Sequence, residues 1–193
     1  MQSQALIEVV EGDITDQVVD AIVNAANEGL MGGGGVDGAI HDAAGPKLAA
    51  ECRKLRGCPT GQARITGGYN LPAKYVIHTV GPVWRGGSHN EVNNLCSCYK
   101  NSLLFAHMQG LESIAFPCIS TGAFRFPRNK AAHAALLTTA NFLNAQPESS
   151  IKTVRFVCFE PDDFKLYFLM LGRRHVVKAA GLKLSNEVDL EAE

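Results

Sequence analysis

Val19–His41 reads VDAIVNAANEGLMGGGGVDGAIH. Ala21–Val23 is a short apolar run of the kind that forms a strand buried on both faces. From about Val36 the residues are compatible with a helix. Between the two stand four consecutive glycines, Gly32–Gly35. Glycine loses more backbone freedom on folding than any other residue. A glycine run that leads straight into an apolar helical segment therefore marks backbone that something approaches closely. The exposed N–H groups and the positive end of the helix dipole suit a phosphate at that point. Strand, loop and helix in succession are the unit of an α/β fold.

The rest of the chain repeats that alternation. Leu6–Val10, Tyr75–Val80, Ser113–Ile119 and Val154–Phe159 read as strands, with Ala63–Gly67 a weaker one. Ser88 and Glu91 have capping-box spacing. Behind them Val92, Leu95, Tyr99, Leu103 and Ala106 form an apolar stripe that Gly110 can end. Pro127 opens a second helix with Ala132, Leu136, Ala140 and Leu143 on one face, and Pro147 follows it. One or two helices are expected over Val36–Leu55, and a last one over Asp162–Leu171. This order predicts one α/β domain with a mostly parallel sheet covered on both sides. After Gly172 the character changes: RRHVVK is basic and EVDLEAE carries four acids. Residues 173–193 are therefore expected to form a solvated tail.

The chain has 193 residues, 46% hydrophobic and 19% charged, with a formal net charge of −1. That length buries a sizeable core, and that charge gives no general reason to expect nucleic acid or an anionic membrane as partner. MQSQALIEVVEGD has no basic region and no long apolar run, so no signal peptide is read there. No stretch reaches the length of a membrane span. The six cysteines, Cys52, Cys58, Cys96, Cys98, Cys118 and Cys158, show no Cys-x-x-Cys spacing, and the histidines are scattered. The expectation is free thiols in a cytoplasmic protein without a metal site.

Gly33–Gly38 formally fits G-x-G-x-x-G, but a glycine tract gives that match cheaply. A dinucleotide fold also needs a tight strand-to-helix turn and an acid roughly twenty residues on. Here the loop is long, and residue 58 is a cysteine. The P-loop lysine is missing as well. A second loop, PCISTGAFRFP (Pro117–Pro127), follows an apolar run at a strand's C-terminal end, where open α/β sheets place ligands. Ser120 and Thr121 offer hydroxyls, Gly122 permits close approach, and Phe124 and Phe126 offer flat surfaces. In GDIT (Gly12–Thr15), Asp13 can accept from an exocyclic amine or cap a turn. In VNAAN (Val23–Asn27), an amide leaving a buried strand can bond ligand hydroxyls or hold the glycine loop. Asp37 reads equally as a helix-capping acid or a functional carboxylate. His41, four residues on, shares its helical face, and His78 reads as a core residue.

Together GDIT, VDAIVNAAN, LMGGGGVDGAIH, TGQARITGGYNLPAKYVIHTVGPVW and AFPCISTGAF resemble the macrodomain family, in its MacroD-type branch. The chain is most similar to bacterial O-acetyl-ADP-ribose deacetylases. Order and spacing match from about Ile7 to Leu171. The resemblance implies a three-layer α/β/α fold around a mixed, mostly parallel sheet, spanning 1–172, with no cofactor. It implies an ADP-ribose cleft in which Asp13 bonds the adenine amino group with help from the Ile14 backbone, and Asn27 contacts the distal ribose. The backbone of Gly34, Gly35 and Val36 meets the diphosphate. Ser120, Thr121, Gly122, Ala123 and Phe124 close over it, and Phe159 packs on adenine. It further implies hydrolysis of esters on the distal ribose, in O-acetyl-ADP-ribose or ADP-ribose on protein Asp or Glu. Asp37 would orient or deprotonate water there, assisted by Asn27 and His41. A non-catalytic ADP-ribose reader, or a regulatory partner such as that of a ribonuclease, is the alternative. One departure stands out. Arg125 occupies a position that is commonly glycine in the family. A requirement for φ > 0 there would strain the loop; alternatively the guanidinium reaches a phosphate.

Overall fold

Alternation along the strands divides the apolar residues between two layers. In β2 (Ala21–Ala26), Ala21 and Val23 face one side and Ile22 the other. The same division holds in β5 (Ser113–Phe116) and β6 (Thr153–Cys158), where Ile114, Phe116, Val154 and Phe156 oppose Ala115 and Val157. The computed structural model describes residues 5–172 and the backbone of 177–178. Those residues also form β1 (Leu6–Glu11), α1 (Gly35–Ala44), α2 (Pro46–Leu55), β3 (Ala63–Gly67), β4 (Tyr75–Val80), α3 (Glu91–Met108), α4 (Arg128–Ala145), α5 (Pro161–Leu171) and β7 (Val177–Lys178).

The sheet runs β3-β4-β2-β5-β6-β1-β7. The inner strands from β4 to β1 are parallel, and β3 and β7 pair antiparallel at the edges. Helices α3, α4 and α5 cover one face through Leu95, Tyr99, Leu136 and Tyr167. Helices α1 and α2 cover the other through Ile40, Leu48 and Cys52. This is the expected three-layer α/β/α arrangement around a mixed sheet. On the first face Tyr99, Phe116, Phe156 and Tyr167 form an aromatic chain, with successive centroids 5.1, 5.8 and 5.2 Å apart.

Several boundaries differ from the sequence reading. β2 runs on to Ala26 because Ala25 and Ala26 still pair with Thr79 and Val80 of β4. β5 stops at Phe116, before Pro117, which has no N–H to continue the ladder. Gly45, at φ 80°, and Pro46 separate α1 from α2. The Ser88–Glu91 capping box does not form: Asn90 occupies the N-cap position without a side-chain capping hydrogen bond, and Glu91 is the first helical residue of α3. β7 was not anticipated. Otherwise the predicted tail, 173–193, lies outside the described residues. All six cysteines are free. Among the described residues no helix is long and apolar enough to cross a membrane.

Candidate functional site

The parallel strands β1, β2, β5 and β6 release their chains at the same edge of the sheet. There Gly12–Ile14, Asn27, the Pro117–Phe124 loop and Phe159 come together. Two adjoining cavities open at this edge. One, of about 380 Å³, is lined by Asp13, Ile14, Gly35, Val36, Thr121, Gly122 and Phe159, and also by Gly12 and Ala39. The next, of about 320 Å³, is lined by Asn27, Gly33–Asp37, Gly81, Ser120, Gly122, Ala123 and Phe124. Gly35, Val36, Cys118 and Gly122 belong to both, so the two form one cleft. Every residue expected to bind ligand lines it. His41 does not.

At the first end, Asp13 caps a short 3₁₀ turn, its Oδ1 accepting from Thr15 N at 2.8 Å and Thr15 Oγ1 at 2.7 Å. Its other oxygen makes no hydrogen bond among the described residues, so capping occupies only one of the two carboxylate oxygens. Phe159 is 73% exposed, an aromatic face left at the rim of the cavity. In the middle, Gly34 caps α1 without a side chain. The first-turn N–H groups of α1 therefore have no intrahelical partner and are available to an anion.

At the second end, Asn27 holds the glycine loop. Its Nδ2 donates to Gly32 O at 2.9 Å, and its Oδ1 accepts from Gly29 and Leu30 N at 3.1 Å each. One Nδ2 hydrogen remains for a ligand. Gly33 keeps this corner open: a Cβ there would lie 3.1 Å from Asp37 Oδ2 and 3.3 Å from Asn27 Nδ2. Gly81 does the same across the cleft, where a Cβ would sit 2.1 Å from Ser120 Oγ. That hydroxyl is buried without a hydrogen-bond partner.

Asp37 is buried, and its carboxylate is positioned from below. Sheet register sets Asn24 of β2 beside His78 of β4, on the face that α1 covers. Asn24 Nδ2 lies 2.7 Å from Asp37 Oδ1 and 3.1 Å from His78 Nδ1. A carboxylate accepts, so the amide donates to it, and its second hydrogen goes to His78. His78 then carries its proton on Nε2 and donates to Thr66 Oγ1 at 2.9 Å. Burial, and then the neighbouring His41, holds the His78 imidazole down to about 3, so it is neutral. His41 Nε2 is 3.6 Å from Asp37 Oδ1, beyond hydrogen-bond reach. The side chain hydrogen-bonded to Asp37 is thus Asn24; His41, which shares the helical face, makes no hydrogen bond to it. The signal was present in the sequence as a polar residue within a fully buried strand.

His41, Cys52 and His78 place potential metal donors within 4.8 Å of one another. Both His78 nitrogens are already engaged. Burial, then the Asp37 and Glu51 charges, pushes the Cys52 thiol up to about 11. The cluster therefore presents a protonated thiol and an occupied imidazole.

Arg125 lines neither cavity and is exposed. Its φ is 55°, so the position does require the left-handed region, which costs an L-residue about 1–2 kcal/mol. Arg125→Gly is expected to raise stability by about 0.5–1 kcal/mol, the glycine's greater unfolded-state freedom offsetting part of the relief. The midpoint of a urea titration reads this directly.

Glu91 was assigned to a capping box but acts on the preceding loop. Its carboxylate accepts from Arg85 N at 3.0 Å, Gly87 N at 3.1 Å and His89 N at 2.6 Å. Burial alone would push this carboxyl up; the backbone donors outweigh it and hold it at about 2, against an ordinary 4.5. A depressed carboxylate contributes stability that is complete above its unfolded value and lost as pH falls through its folded one. Stability is therefore expected to fall between about pH 4.5 and 2, and Glu91→Gln to flatten that fall. Urea unfolding at a series of pH values checks it.

The residues 23–135 match the Macro domain family model. An O-acetyl-ADP-ribose deacetylase of Escherichia fergusonii is 54% identical over 174 residues, covering 87% of this chain and 96% of that protein. A macro domain-containing protein of Chlorobaculum tepidum is 54% identical over 167 residues, covering 86% and 96%. Among solved structures, a glycine-to-valine mutant of the Oceanobacillus iheyensis macrodomain with ADPR superposes with a TM-score of 0.80 at 41% identity, covering 86% of this chain and 92% of that one. The Trypanosoma brucei macrodomain in complex with ADP-ribose gives 0.81 at 46% identity, covering 86% and 69%. A matching family model and relatives of this identity and coverage lead to one conclusion: the chain belongs to the macrodomain family.

Proposed function

We propose that the chain binds ADP-ribose along this cleft and hydrolyses esters of its distal ribose. Such esters are O-acetyl-ADP-ribose and mono-ADP-ribose joined to protein Asp or Glu. Asp13 and Phe159 take the adenine, the α1 N-terminus and the Ser120–Phe124 loop take the diphosphate, and Asn27 takes the distal ribose. Water adds to the ester carbonyl and the ribose oxygen leaves, giving ADP-ribose and a carboxylic acid. Asp37 orients that water, accepts its proton through Oδ2 and returns a proton to the leaving ribose oxygen. Likeness to a named deacetylase and to macrodomains solved with ADP-ribose supports the reading.

The observation that carries it is the buried Asp37 carboxylate. One oxygen is fixed at 2.7 Å by Asn24, and the other faces the corner that Gly33 keeps open. A carboxylate serving only as a helix cap needs neither feature. Calorimetry with ADP-ribose, followed by turnover of O-acetyl-ADP-ribose and of Asp/Glu-linked ADP-ribosyl protein, tests it. Binding with release of acetate or of ADP-ribose is the expected result. Binding without turnover would make the chain a reader, and no binding would overturn the reading altogether.

A further inference from the structure

A third cavity, of about 480 Å³, continues the cleft beyond its second end. It shares Asn27, Gly81 and Phe124 with the middle cavity. With adenine at Asp13 and the distal ribose at Asn27, this space lies where the group esterified to that ribose must go. An acetyl group has three heavy atoms and leaves most of the space empty. The volume lies within the range of sites that enclose drug-sized ligands.

The walls are built in advance. Glu91 ties the 85–89 loop through its three backbone hydrogen bonds. Trp84 N donates to Phe124 O at 2.9 Å, joining this loop to the one over the diphosphate. On the opposite wall, Glu28 accepts from Thr60 N at 3.3 Å and Thr60 Oγ1 at 3.0 Å. Thr60 and Asn94 add polar groups to a wall that also carries Val80, Pro82, Val83 and Phe124. The two acids have their oxygens engaged by these donors. Arg85 has no such partner: among the described residues its guanidinium has no hydrogen bond or ion pair. It is exposed at the cavity wall and meets an anion at little desolvation cost.

We propose that this cavity is an acceptor subsite. It holds the polypeptide that flanks the esterified carboxylate, and Arg85 contacts an acidic side chain of that polypeptide. The inference rests on the reading of the cleft given above and adds a selectivity to it: among peptide-borne esters, those with neighbouring acids.

The test compares three ligands by calorimetry. One is ADP-ribose. The others are ADP-ribosyl peptides joined through a hydrolysis-resistant mimic of the ester, with Asp or with Ser beside the modified residue. The Asp peptide is expected to bind about three- to tenfold tighter than ADP-ribose, a gain that shrinks as salt rises. The Ser peptide should fall between them. In Arg85→Glu and in Arg85→Ala the ratio between the Asp and Ser peptides should fall to about one or below. Peptides that bind no better than ADP-ribose would overturn the subsite. So would an Asp/Ser ratio that survives both substitutions. Failure of ADP-ribose itself to bind would instead bring down the reading of the whole cleft, a different and recognisable result.

Discussion

Asp37→Ala is expected to lower turnover of O-acetyl-ADP-ribose by about a hundredfold or more while leaving the affinity for ADP-ribose within about threefold. The size follows from what a positioned proton acceptor contributes, about 10²–10⁴ in rate. The asymmetry follows from charge. Asp37 lies in the first turn of α1, among N–H groups that suit a diphosphate. Removing a negative charge there does not weaken an anion site. Comparing kcat with a calorimetric Kd checks both halves. A variant with near-normal turnover would remove Asp37 from the chemistry. Parallel loss of turnover and binding would make it a structural residue of the glycine loop.

Asn24→Leu is expected to have the second large effect. Leucine is similar in bulk but donates nothing. Asp37 Oδ1 and His78 Nδ1 would both lose their donor, and each is buried. Leaving a buried polar group unsatisfied costs about 1–3 kcal/mol, so the urea midpoint should drop. In the proposed function Asn24 is a positioning residue that acts through Asp37. The kcat should therefore fall about tenfold or more while the Kd for ADP-ribose stays within about threefold. A drop in stability with unchanged kcat would mean that Asn24 merely fills the core. Asn24→Asp distinguishes packing from donation: it keeps the shape but sets a second carboxylate against Asp37, and it should also lose activity.

Much of the fold was legible in the sequence because periodicity is a local property. The apolar runs and helical stripes placed every strand of the parallel core and the helices α3, α4 and α5, but left open whether one helix or two fill Val36–Leu55, where the structure has α1 and α2. The boundaries were less legible. β2 extends past its apolar run because β4 lies alongside it, and no residue of β2 carries that information. Glu91 illustrates the same limit. Its spacing from Ser88 fits a capping box, yet three backbone N–H groups of the preceding loop compete for the carboxylate and win. Arg125 shows the opposite case. Its departure from a glycine position raised two readings, a strained φ or a guanidinium on a phosphate, and the structure has the positive φ.

The sequence by itself determined which chemistries were available. The glycine run before Asp37, the amides of VNAAN and the hydroxyls of STGAF are side-chain and backbone types that need no partner to be recognised. Only the tertiary structure decided which atoms meet. Parallel register set Asn24 beside His78, and the packing of α1 on that face brought Asp37 to within 2.7 Å of the same amide. The same packing left His41 at 3.6 Å, although helical spacing puts it on the same face as Asp37. The third cavity is lined by residues from the segments after β2, before β3, after β4 and after β5 and by the first turn of α3, brought together only by strand order and helix docking. Contacts between residues tens of positions apart depend on strand order and helix docking, and a linear pattern does not encode them one residue at a time.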